Sequence, residues 1–504
     1  MLAETDCVSE QTATQQWSRF TPIVTGEDYV ESLRNRAVEV YLFGERIDEP
    51  VDHPIIRPSI NSLKMTYDLA IEDPDLATAH SELISAPVNR FLHIVGSPGD
   101  LVMKNRMQRR LGQLTGTCFQ RCAGLDTISV LHSITYDIDA KHGTQYHQRY
   151  LRFMKNAQRN NIILGAGMTD PKGDRSKRPN EQADPDMFMH ITKRTEHGVY
   201  VTGAKAHMTG GLNSHWICVM PTMNLGEADK DYAVIGMVPG DAPGLTYIYG
   251  RQSCDMRAME KGDIDKGNAR FGGQETLVVF EDVFIPHEHV LMDGEYEFAQ
   301  ALVSRFTAYH RASYVCKTGL GDVMAGAAAQ IAEYNGAENA SHIKDKLVEI
   351  THLNETIYSS AIASSHEAKQ MDSGIFMNDE MLANVCKHNV TRFPYEISRL
   401  VQDLAGGAMV TLPSEADFDH ETVGPMLKKY MKGKDNIPVE FRQRMLRLIE
   451  NMTLGRNAVG YLTESLHGAG SPQAQRIQIQ RQMDVERKKG YAKDLAGIIV
   501  TDAD

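Results

Sequence analysis

The residues best suited to metal chemistry are three cysteines and one histidine in two short segments. The first segment, residues 114–124, contains Cys118 and Cys122 in a C-x3-C arrangement. Residues i and i+4 share one side of a helix, so both thiols would face the same way, and a loop would also bring them together. Thiolates are soft ligands that favour zinc and iron–sulfur clusters. The pair alone is equally compatible with two structural cysteines.

The second segment, residues 309–319, places His310 and Cys316 inside a stretch that otherwise has the pattern of a bundle helix. A lone buried histidine is more often hydrogen-bonded within a core than bound to a metal. Together with the first pair, however, these residues complete a set of three thiolates and one imidazole. Zinc and an iron–sulfur cluster both accept such a set, so the residue types alone leave the metal open.

Composition narrows the class of protein. The chain has 504 residues and a net charge of −13, which excludes a general nucleic-acid binder with a basic face. No run approaches the roughly 18–20 apolar residues of a membrane span, and the N-terminus lacks the pattern of a signal peptide. Seven cysteines do not form the disulfide framework of a secreted protein. We therefore predict a cytoplasmic protein that binds neither nucleic acid nor membranes.

Hydrophobic periodicity divides the chain into three regions. Helical spacing dominates at the start, for example in residues 29–47 and 146–161; short alternating runs separated by turns occupy residues 162–292. Long helices are predicted after that, at residues 298–334, 342–370, 379–404, 438–467 and 474–491. We predict an α+β fold with an N-terminal helical domain (1–156), a central antiparallel β domain (157–294) and a C-terminal helical bundle (295–504). This order resembles the architecture of the acyl-CoA dehydrogenases, a family in which flavin and acyl-CoA meet where the domains join.

Seven segments carry a more specific resemblance. They are CFQRC (118–122), MTDPKGDRS (168–176), GAKAHMTGG (203–211), FEDVFIP (280–286), YHRASYVCK (309–317), QDLAGGA (402–408) and ESLHGAGSPQAQR (464–476). With these segments the sequence resembles the 4-hydroxybutyryl-CoA dehydratases, also called vinylacetyl-CoA delta-isomerases, within the 4-hydroxyphenylacetate 3-hydroxylase flavoprotein superfamily. The resemblance extends from about residue 25 to the C-terminus.

The resemblance implies FAD and a [4Fe–4S] cluster as cofactors, with Cys118, Cys122, His310 and Cys316 as cluster ligands. The family pattern has one more residue between the histidine and the third cysteine than the five found here. In an unbroken helix this difference would turn the thiolate by about 100°. Cys316 is nevertheless assigned as the ligand, because Lys317 follows it as a lysine follows the family's cysteine.

The implied reaction converts 4-hydroxybutyryl-CoA to crotonyl-CoA and water, with isomerase side activity. The Cβ proton of this substrate is not activated, so acid–base catalysis alone is insufficient. The family solves this with one-electron flavin chemistry, in which a substrate enoxy radical makes the Cβ proton acidic and a ketyl radical expels water. The cluster iron acts as a Lewis acid on the hydroxyl group.

The resemblance also implies roles for individual side chains. His310 would act as ligand and base, Tyr314 would supply a proton or hold substrate, and Lys317 would stabilise the thioester oxygen or the flavin. Glu464 and Glu275 match functional carboxylates, and Gln120 would hydrogen-bond substrate or cluster. Simpler interpretations remain: a core tyrosine, glutamates at the ends of a helix and a strand, and a lysine that balances thiolates.

Flavin contacts are predicted in two places. Met168, Thr169, Asp170, Lys205 and Thr209 fall where this superfamily contacts the isoalloxazine ring. The glycine-rich turns containing Gly406 and Gly407, and Gly468 and Gly470, are candidates for phosphate binding, although ordinary turns have the same composition.

The Gln402 segment resembles one that reaches the flavin of a neighbouring acyl-CoA dehydrogenase subunit, which implies a homotetramer. We predict no Rossmann domain, because no G-x-G-x-x-G motif follows a strand. Two other functions remain open: a flavin-dependent aromatic hydroxylase of the same superfamily, and a non-catalytic acyl-CoA-binding protein with structural zinc.

Overall fold

The computed structural model describes residue 17 and residues 21–254, 259–260 and 262–498. A helical region, a β region and a second helical region follow one another along this part of the chain, which confirms the predicted α+β class. Its helices include none that is long and apolar enough to cross a membrane. The domain limits stay predictions; the first of them, at 156/157, falls inside the helix Tyr146–Asn160.

From residue 21 onward, the described part of the first region contains six α-helices and two hairpins. The helices are α1 Gly26–Ser32, α2 Arg57–Glu72, α3 Pro74–Ala77, α4 Pro98–Thr115, α5 Cys122–His142 and α6 Tyr146–Asn160. The hairpins pair β1 Glu39–Leu42 with β2 Glu45–Arg46, and β3 Thr78–Ser81 with β4 Ala86–Asn89.

The prediction of a helix over residues 29–47 is wrong in its second half. The helix α1 ends at Ser32, and β1 and β2 follow. Val40 and Leu42 are buried while Glu39 is exposed, which is the two-residue alternation of a strand. Gly44 turns the hairpin with φ +83°. The strand forms here because the edge of the central sheet accepts it, a tertiary contact that local periodicity does not reveal.

The described part of the central region contains the remaining long strands and two short α-helices. These elements are β5 Leu164–Gly167, β6 His190–Arg194, β7 Gly198–Thr209, β8 Trp216–Val219, β9 Val234–Pro239, β10 Leu245–Tyr249, α7 Arg251–Cys254, α8 Lys266–Arg270, β11 Glu275–Pro286 and β12 Val290–Asp293. They form a six-stranded sheet, β2-β1-β10-β11-β7-β6, and a four-stranded sheet, β12-β9-β8-β5.

The sheets are not purely antiparallel as predicted. β1 runs parallel to β10, and β5 runs parallel to β8. Parallel neighbours need a long connection, and both pairs have one: β1 comes from the first region, and β5 is separated from β8 by β6 and β7. The other pairs in both sheets are antiparallel.

The last region is a helical bundle with one small hairpin, β13 Lys369–Gln370 with β14 Phe376–Met377. Its helices are α9 Ala299–Ser313, α10 Cys316–Tyr334, α11 Ser341–His366, α12 Glu380–Val390, α13 Phe393–Ala405, α14 Glu415–Asp419, α15 Gly424–Tyr430, α16 Val439–Thr453, α17 Arg456–Ala458, α18 Glu464–His467, α19 Pro472–Gln482 and α20 Val485–Leu495.

Four helices predicted as continuous are interrupted. The 379–404 helix breaks at Thr391 and Arg392, between α12 and α13. The 298–334 helix breaks at Tyr314 and Val315, the 474–491 helix breaks at Asp484 with φ +39°, and the 438–467 helix breaks after Thr453. Between α17 and α18 the chain makes a π-helical turn, Val459–Thr463. Such single π turns are rare and occur often at functional sites.

Separate apolar cores lie under the two sheets and within the bundle. A smaller cluster lies where the three regions meet. It contains Leu111 of α4, Phe119 of the following loop, Cys122 of α5, Phe271 of the β region, and Cys316 of α10. Two of the predicted metal ligands are therefore part of the junction between regions.

Candidate functional site

The Cys118–Cys122 segment is a turn that leads into a helix. Cys118 lies in the loop after α4, and Cys122 is the first residue of α5. Between them Gln120 has φ +64°, in the left-handed region that non-glycine residues rarely occupy. This reversal lets two cysteines four residues apart belong to different elements, so the loop alternative is correct for Cys118.

The buried side chain of Gln120 stabilises this turn through hydrogen bonds. Its side chain is 4% exposed. Its Nε2 donates to the carbonyl oxygens of Ser59 at 2.9 Å and Gly272 at 3.2 Å. Its Oε1 accepts from Asn213 at 3.2 Å. The amide is thus engaged by the protein, and a direct contact between Gln120 and substrate or cluster stays a prediction that this arrangement does not favour.

The helix break at Tyr314–Val315 removes the objection to Cys316 based on spacing. Because α9 ends at Ser313 and α10 begins at Cys316, the 100° rotation expected for one continuous helix does not apply. Cys122 and Cys316 both occupy the first position of a long helix, where the positive end of the helix dipole stabilises a thiolate. The N-termini of α5 and α10 therefore lie at the same group of buried residues.

The three thiols form a buried group. Cys118, Cys122 and Cys316 are 5%, 9% and 5% exposed. Cys122 and Cys316 both raise the pKa of Cys118, and Cys316 raises that of Cys122. Burial raises the pKa of all three thiols, to about 11 for Cys316. A buried thiol of this kind ionises when a metal binds, because the cation replaces the proton.

Lys317 lies against these thiols and lowers the pKa of each. Its side chain is 1% exposed, and its Nζ is 3.0 Å from Glu464 Oε2. Burial alone would lower the pKa of Lys317, but Glu464 and the cysteines outweigh burial and raise it. A permanently charged ammonium is therefore buried at the centre of the site.

His310 of α9 is connected to the thiols through Asp126, whose charge acts on Cys122 and Cys316. Its Nδ1 is 2.8 Å from Asp126 Oδ2, and its ring contacts Phe306 and Tyr314 with centroids 5.1 and 5.3 Å away. Burial alone would raise the pKa of Asp126, but Lys104 and His310 hold it below its usual range. The hydrogen bond at Nδ1 makes Nε2 the nitrogen able to bind a metal.

Glu464 connects the C-terminal segment to both halves of the site. Its Oε1 is 3.7 Å from Cys118 Sγ, while its Oε2 pairs with Lys317. Glu275 lies close enough that burial and the charge of Glu464 together raise its pKa. Both oxygens of Glu275 are 2.8 Å from Thr209 Oγ1, its neighbour across β7 and β11. The structure thus brings Glu464, Glu275 and Thr209 together.

Tyr314 is enclosed between the helix break and the segment after α18. A Cβ atom added to Gly468 would lie 1.5 Å from Tyr314 Oη, so glycine is required there. Lys387 of α12 lies 4.2 Å from the centre of the Tyr314 ring and also donates to the Ser465 carbonyl. Burial raises the pKa of Tyr314, so its hydroxyl keeps its proton.

Several residues of the β region that are predicted to contact flavin are hydrogen-bonded to one another. Lys205 Nζ is 2.6 Å from Asp170 Oδ1 and donates to the carbonyls of Met168 and Met220 at 3.1 and 2.9 Å. These bonds use all three donors of the ammonium. Thr169 accepts from the Ala206 amide at 2.7 Å. Lys205 and Asp170 therefore fix the loop after β5 against β7, and a direct contact of the Lys205 ammonium with flavin stays a prediction.

The remaining predicted flavin residues lie elsewhere. Gln402 is on the last turn of α13, Gly406 follows it with φ +78°, and an added Cβ on Gly406 or Gly407 meets open space. These residues are at an exposed helix end, and the described contacts do not join them to Glu464 or the thiols. Gly470, with φ +96°, lies near Arg311 Nη2. Their role in binding stays a prediction.

Sequence reasoning missed Asp126 and Lys104. Both are buried, at 0% and 2% side-chain exposure, and they pair at 2.9 Å directly behind His310. The spacing carried a signal: Asp126 lies four residues after Cys122 on α5, so it shares a helix face with a candidate ligand. A carboxylate behind a metal-binding histidine is a recurrent arrangement.

The donor set fits an iron–sulfur cluster chemically, since three buried thiols, two helix N-termini and a buried lysine favour an anionic thiolate-bound group. Among the described residues, no group of three or more His, Cys, Asp or Glu side chains is arranged to hold a single metal ion. The four-ligand assignment therefore stays a prediction.

Two family models match almost the whole chain. They are the 4-hydroxyphenylacetate 3-hydroxylase N-terminal model over residues 25–292 and the corresponding C-terminal model over residues 299–497. The chain is 54% identical over 489 residues to the 4-hydroxybutyryl-CoA dehydratase/vinylacetyl-CoA delta-isomerase of Clostridium aminobutyricum, which covers 94% of this chain and 100% of that protein.

Solved structures agree. The structure of an oxygen-tolerant archaeal 4-hydroxybutyryl-CoA dehydratase from N. maritimus is 65% identical, covers 96% of both chains and superimposes with a TM-score of 0.93. The FAD complex of the oxygenase component of 4-hydroxyphenylacetate 3-monooxygenase is 21% identical, covers 94% of this chain and 98% of that one, and has a TM-score of 0.83, so it shares the fold. The chain therefore belongs to the 4-hydroxyphenylacetate 3-hydroxylase family and, within it, to the 4-hydroxybutyryl-CoA dehydratases.

Proposed function

We propose that this protein dehydrates 4-hydroxybutyryl-CoA to crotonyl-CoA and isomerises vinylacetyl-CoA, with FAD and a [4Fe–4S] cluster as cofactors. The observation that carries the proposal is the convergence of three buried thiols, His310, Glu464 and Lys317 where the three regions of the fold meet. The names of the Clostridium aminobutyricum relative and the N. maritimus structure supply the substrate and both activities.

In this proposal Cys118, Cys122, Cys316 and His310 Nε2 hold the cluster. When bound, the two cofactors supply one-electron chemistry from the flavin and Lewis acidity toward the substrate hydroxyl from iron. The reaction is then a radical dehydration, which explains how a Cβ proton without an activating group is removed.

The side chains of this chain divide the remaining work. Lys317 carries a buried positive charge and stabilises negative charge on the thioester oxygen. Glu464 lies beside Cys118 and accepts a substrate proton at a carboxylate oxygen. His310 accepts a substrate proton at Nε2 only while that nitrogen is not bound to iron, because its single lone pair serves one partner at a time. Tyr314 keeps its hydroxyl proton and donates it as a hydrogen bond.

FAD is placed beside β7 and β11 by this proposal. Thr209 and Glu275 meet there, and the loop held by Asp170 and Lys205 lies along the same strand. The FAD complex of the related oxygenase component supports a flavin in this fold. The exposed turn at Gly406 and Gly407, with Gln402, then contacts the flavin of a neighbouring subunit in a cytoplasmic homotetramer.

The test is anaerobic purification followed by counts of iron, acid-labile sulfide and FAD per chain, with an assay of crotonyl-CoA formation. Cys118→Ser should lose iron and dehydration while it keeps FAD, because the proposed flavin contacts lie on other elements. Cys218→Ser is the matched control: Cys218 is a buried cysteine of β8 outside the ligand set, and this variant should retain all four properties.

Two results would contradict the proposal. A pure parent protein without iron that hydroxylates phenols with reduced flavin and oxygen would be an aromatic hydroxylase. Stoichiometric zinc without a flavin spectrum or any activity would indicate an acyl-CoA-binding protein with a structural metal.

A further inference from the structure

Asp126 connects His310 to a buried lysine. Its Oδ2 is 2.8 Å from His310 Nδ1, and its Oδ1 is 2.9 Å from both Lys104 Nζ and Ser313 Oγ. Asp126 and Ser313 are fully buried, and Lys104 is 2% exposed. Both oxygens of this α5 carboxylate are therefore fixed by partners from two other helices, α4 and α9.

This arrangement determines which histidine nitrogen carries the proton. A neutral imidazole has one N–H group, and an ionised carboxylate only accepts hydrogen bonds. Facing Asp126, Nδ1 must therefore be the donor, which leaves the lone pair on Nε2. The rings of Phe306 and Tyr314, four residues before and after His310 on the chain, limit rotation of the imidazole.

We propose that Asp126 is a positioning residue of the dehydratase: it holds the proton of His310 on Nδ1 and presents Nε2 to iron or to substrate, while Lys104 and Ser313 hold the carboxylate. The proposal rests on the function proposed above. When Nε2 acts as the base, a substrate C–H bond breaks, an N–H bond forms, and the electron pair of the C–H bond stays on the substrate. The imidazolium that results lies beside the Asp126 carboxylate.

A purely structural role would be to tie α5 to α9. A second ion pair already does this, since Asp137 of α5 is 2.5 Å from Arg305 of α9. Asp137 is 29% exposed and contacts no proposed ligand, whereas Asp126 is fully buried and contacts His310. Asp137→Asn is therefore a matched control that weakens the same helix contact without affecting the histidine.

The first experiment uses metal-free protein with ¹⁵N-labelled histidine, studied by magic-angle-spinning NMR. The chain has 19 histidines, so the His310 signal is identified by its loss in His310→Asn. We expect Nδ1 to carry the proton in the parent and in Asp137→Asn. In Asp126→Asn the amide NH2 can donate to Nδ1, so we expect the proton to move to Nε2. An unchanged tautomer in Asp126→Asn would overturn the proposal.

The second experiment uses the anaerobically loaded enzyme. Asp126→Asn should lower kcat about 10–100-fold, the usual range for a residue that orients a metal-binding histidine, with little change in KM. Asp137→Asn should keep the parental kcat. Equal losses in both variants, following their thermal stability, would show that Asp126 only ties the helices together.

Ser313→Ala provides a test that does not depend on Asp126→Asn folding. It removes one hydrogen bond to the carboxylate and leaves the Lys104 pair in place. Because the carboxylate still only accepts hydrogen bonds, we expect Nδ1 to keep the proton and kcat to fall by less than in Asp126→Asn; a proton on Nε2 in Ser313→Ala would contradict the proposal. The function proposed above is tested separately: a parent protein without iron and without dehydratase activity would contradict it. That outcome would not affect the tautomer measurement, which uses metal-free protein.

Discussion

The Lys317 ammonium lies 3.0 Å from the Glu464 carboxylate, although the two residues are 147 positions apart in the chain. Lys317 is the second residue of α10, directly after the candidate ligand Cys316, and Glu464 directly follows the π-helical turn. The ion pair therefore joins the helix that supplies Cys316 to the segment that reaches Cys118.

Breaking this ion pair should destabilise the protein. Lys317→Met leaves the Glu464 carboxylate, 17% exposed, beside the thiols without its cation, which should cost less than the roughly 3–5 kcal/mol typical of a fully buried ion pair. The double variant Lys317→Met/Glu464→Gln removes both charges and should recover part of that loss. The measurement is urea denaturation of the metal-free protein. A single variant as stable as the double variant would contradict the expected cost of the unpaired Glu464 charge.

Gly468 should be essential for the position of Tyr314. In Gly468→Ala the new methyl group would lie 1.5 Å from Tyr314 Oη, so the phenol ring must move. We expect a large loss of kcat with iron and FAD retained. Gly326→Ala is the control, since Gly326 lies inside α10 and an added Cβ meets nothing within 4 Å; it should be fully active and slightly more stable. An active Gly468→Ala variant would contradict a role for Tyr314.

Much of the fold follows from local patterns, and the exceptions have identifiable causes. Alternation predicts the strand Glu275–Pro286 over the full run of residues, because its inward positions are β-branched or aromatic. The β1 strand was missed because its stability comes from pairing with β10, about 200 residues away. The break at Tyr314 and Val315 is not predicted, because neither residue is a glycine or proline that would mark the end of a helix. The backbone also departs little from a helix there, with φ −63° and ψ −5° at Tyr314.

The candidate site was predictable as a set of residue types but not as an arrangement. Cys118, Cys122 and Cys316 could be grouped from their chemistry and from the family resemblance. The partners behind His310 could not, because Lys104 and Asp126 look like ordinary surface residues in the sequence. Their burial appears only after α4, α5 and α9 pack together.

The Lys205–Asp170 pair should contribute strongly to stability of the loop after β5. Lys205→Met leaves Asp170 buried with only hydroxyl and amide donors, Thr222 at 2.9 Å and the Met189 amide at 3.4 Å. We expect a loss of about 3–5 kcal/mol in the free energy of unfolding and weaker FAD retention. Asp170→Asn combined with Lys205→Met should be more stable than Lys205→Met alone. Unchanged stability and FAD content in Lys205→Met would contradict this role.

His289 should make the protein less stable in mild acid. Its ring is 4% exposed and packs edge-on against Trp216 with centroids 4.8 Å apart. Burial lowers its pKa from 6.5 to about 4. Below pH 6.5 the unfolded chain therefore binds a proton that the folded protein does not accept until about pH 4. The free energy of unfolding should fall across this window by roughly 3 kcal/mol from this histidine alone.

His289→Phe tests this expectation, because phenylalanine fills the same aromatic pocket and does not titrate. Urea denaturation of parent and variant between pH 7 and pH 4 should show a smaller decrease in the variant. His80→Phe is the control, since the His80 side chain is 58% exposed and should leave the parental pH dependence intact. Burial also lowers the pKa of His132 to about 4, so some dependence should persist in His289→Phe. Identical pH profiles for parent and His289→Phe would show that His289 does not remain neutral in the folded protein.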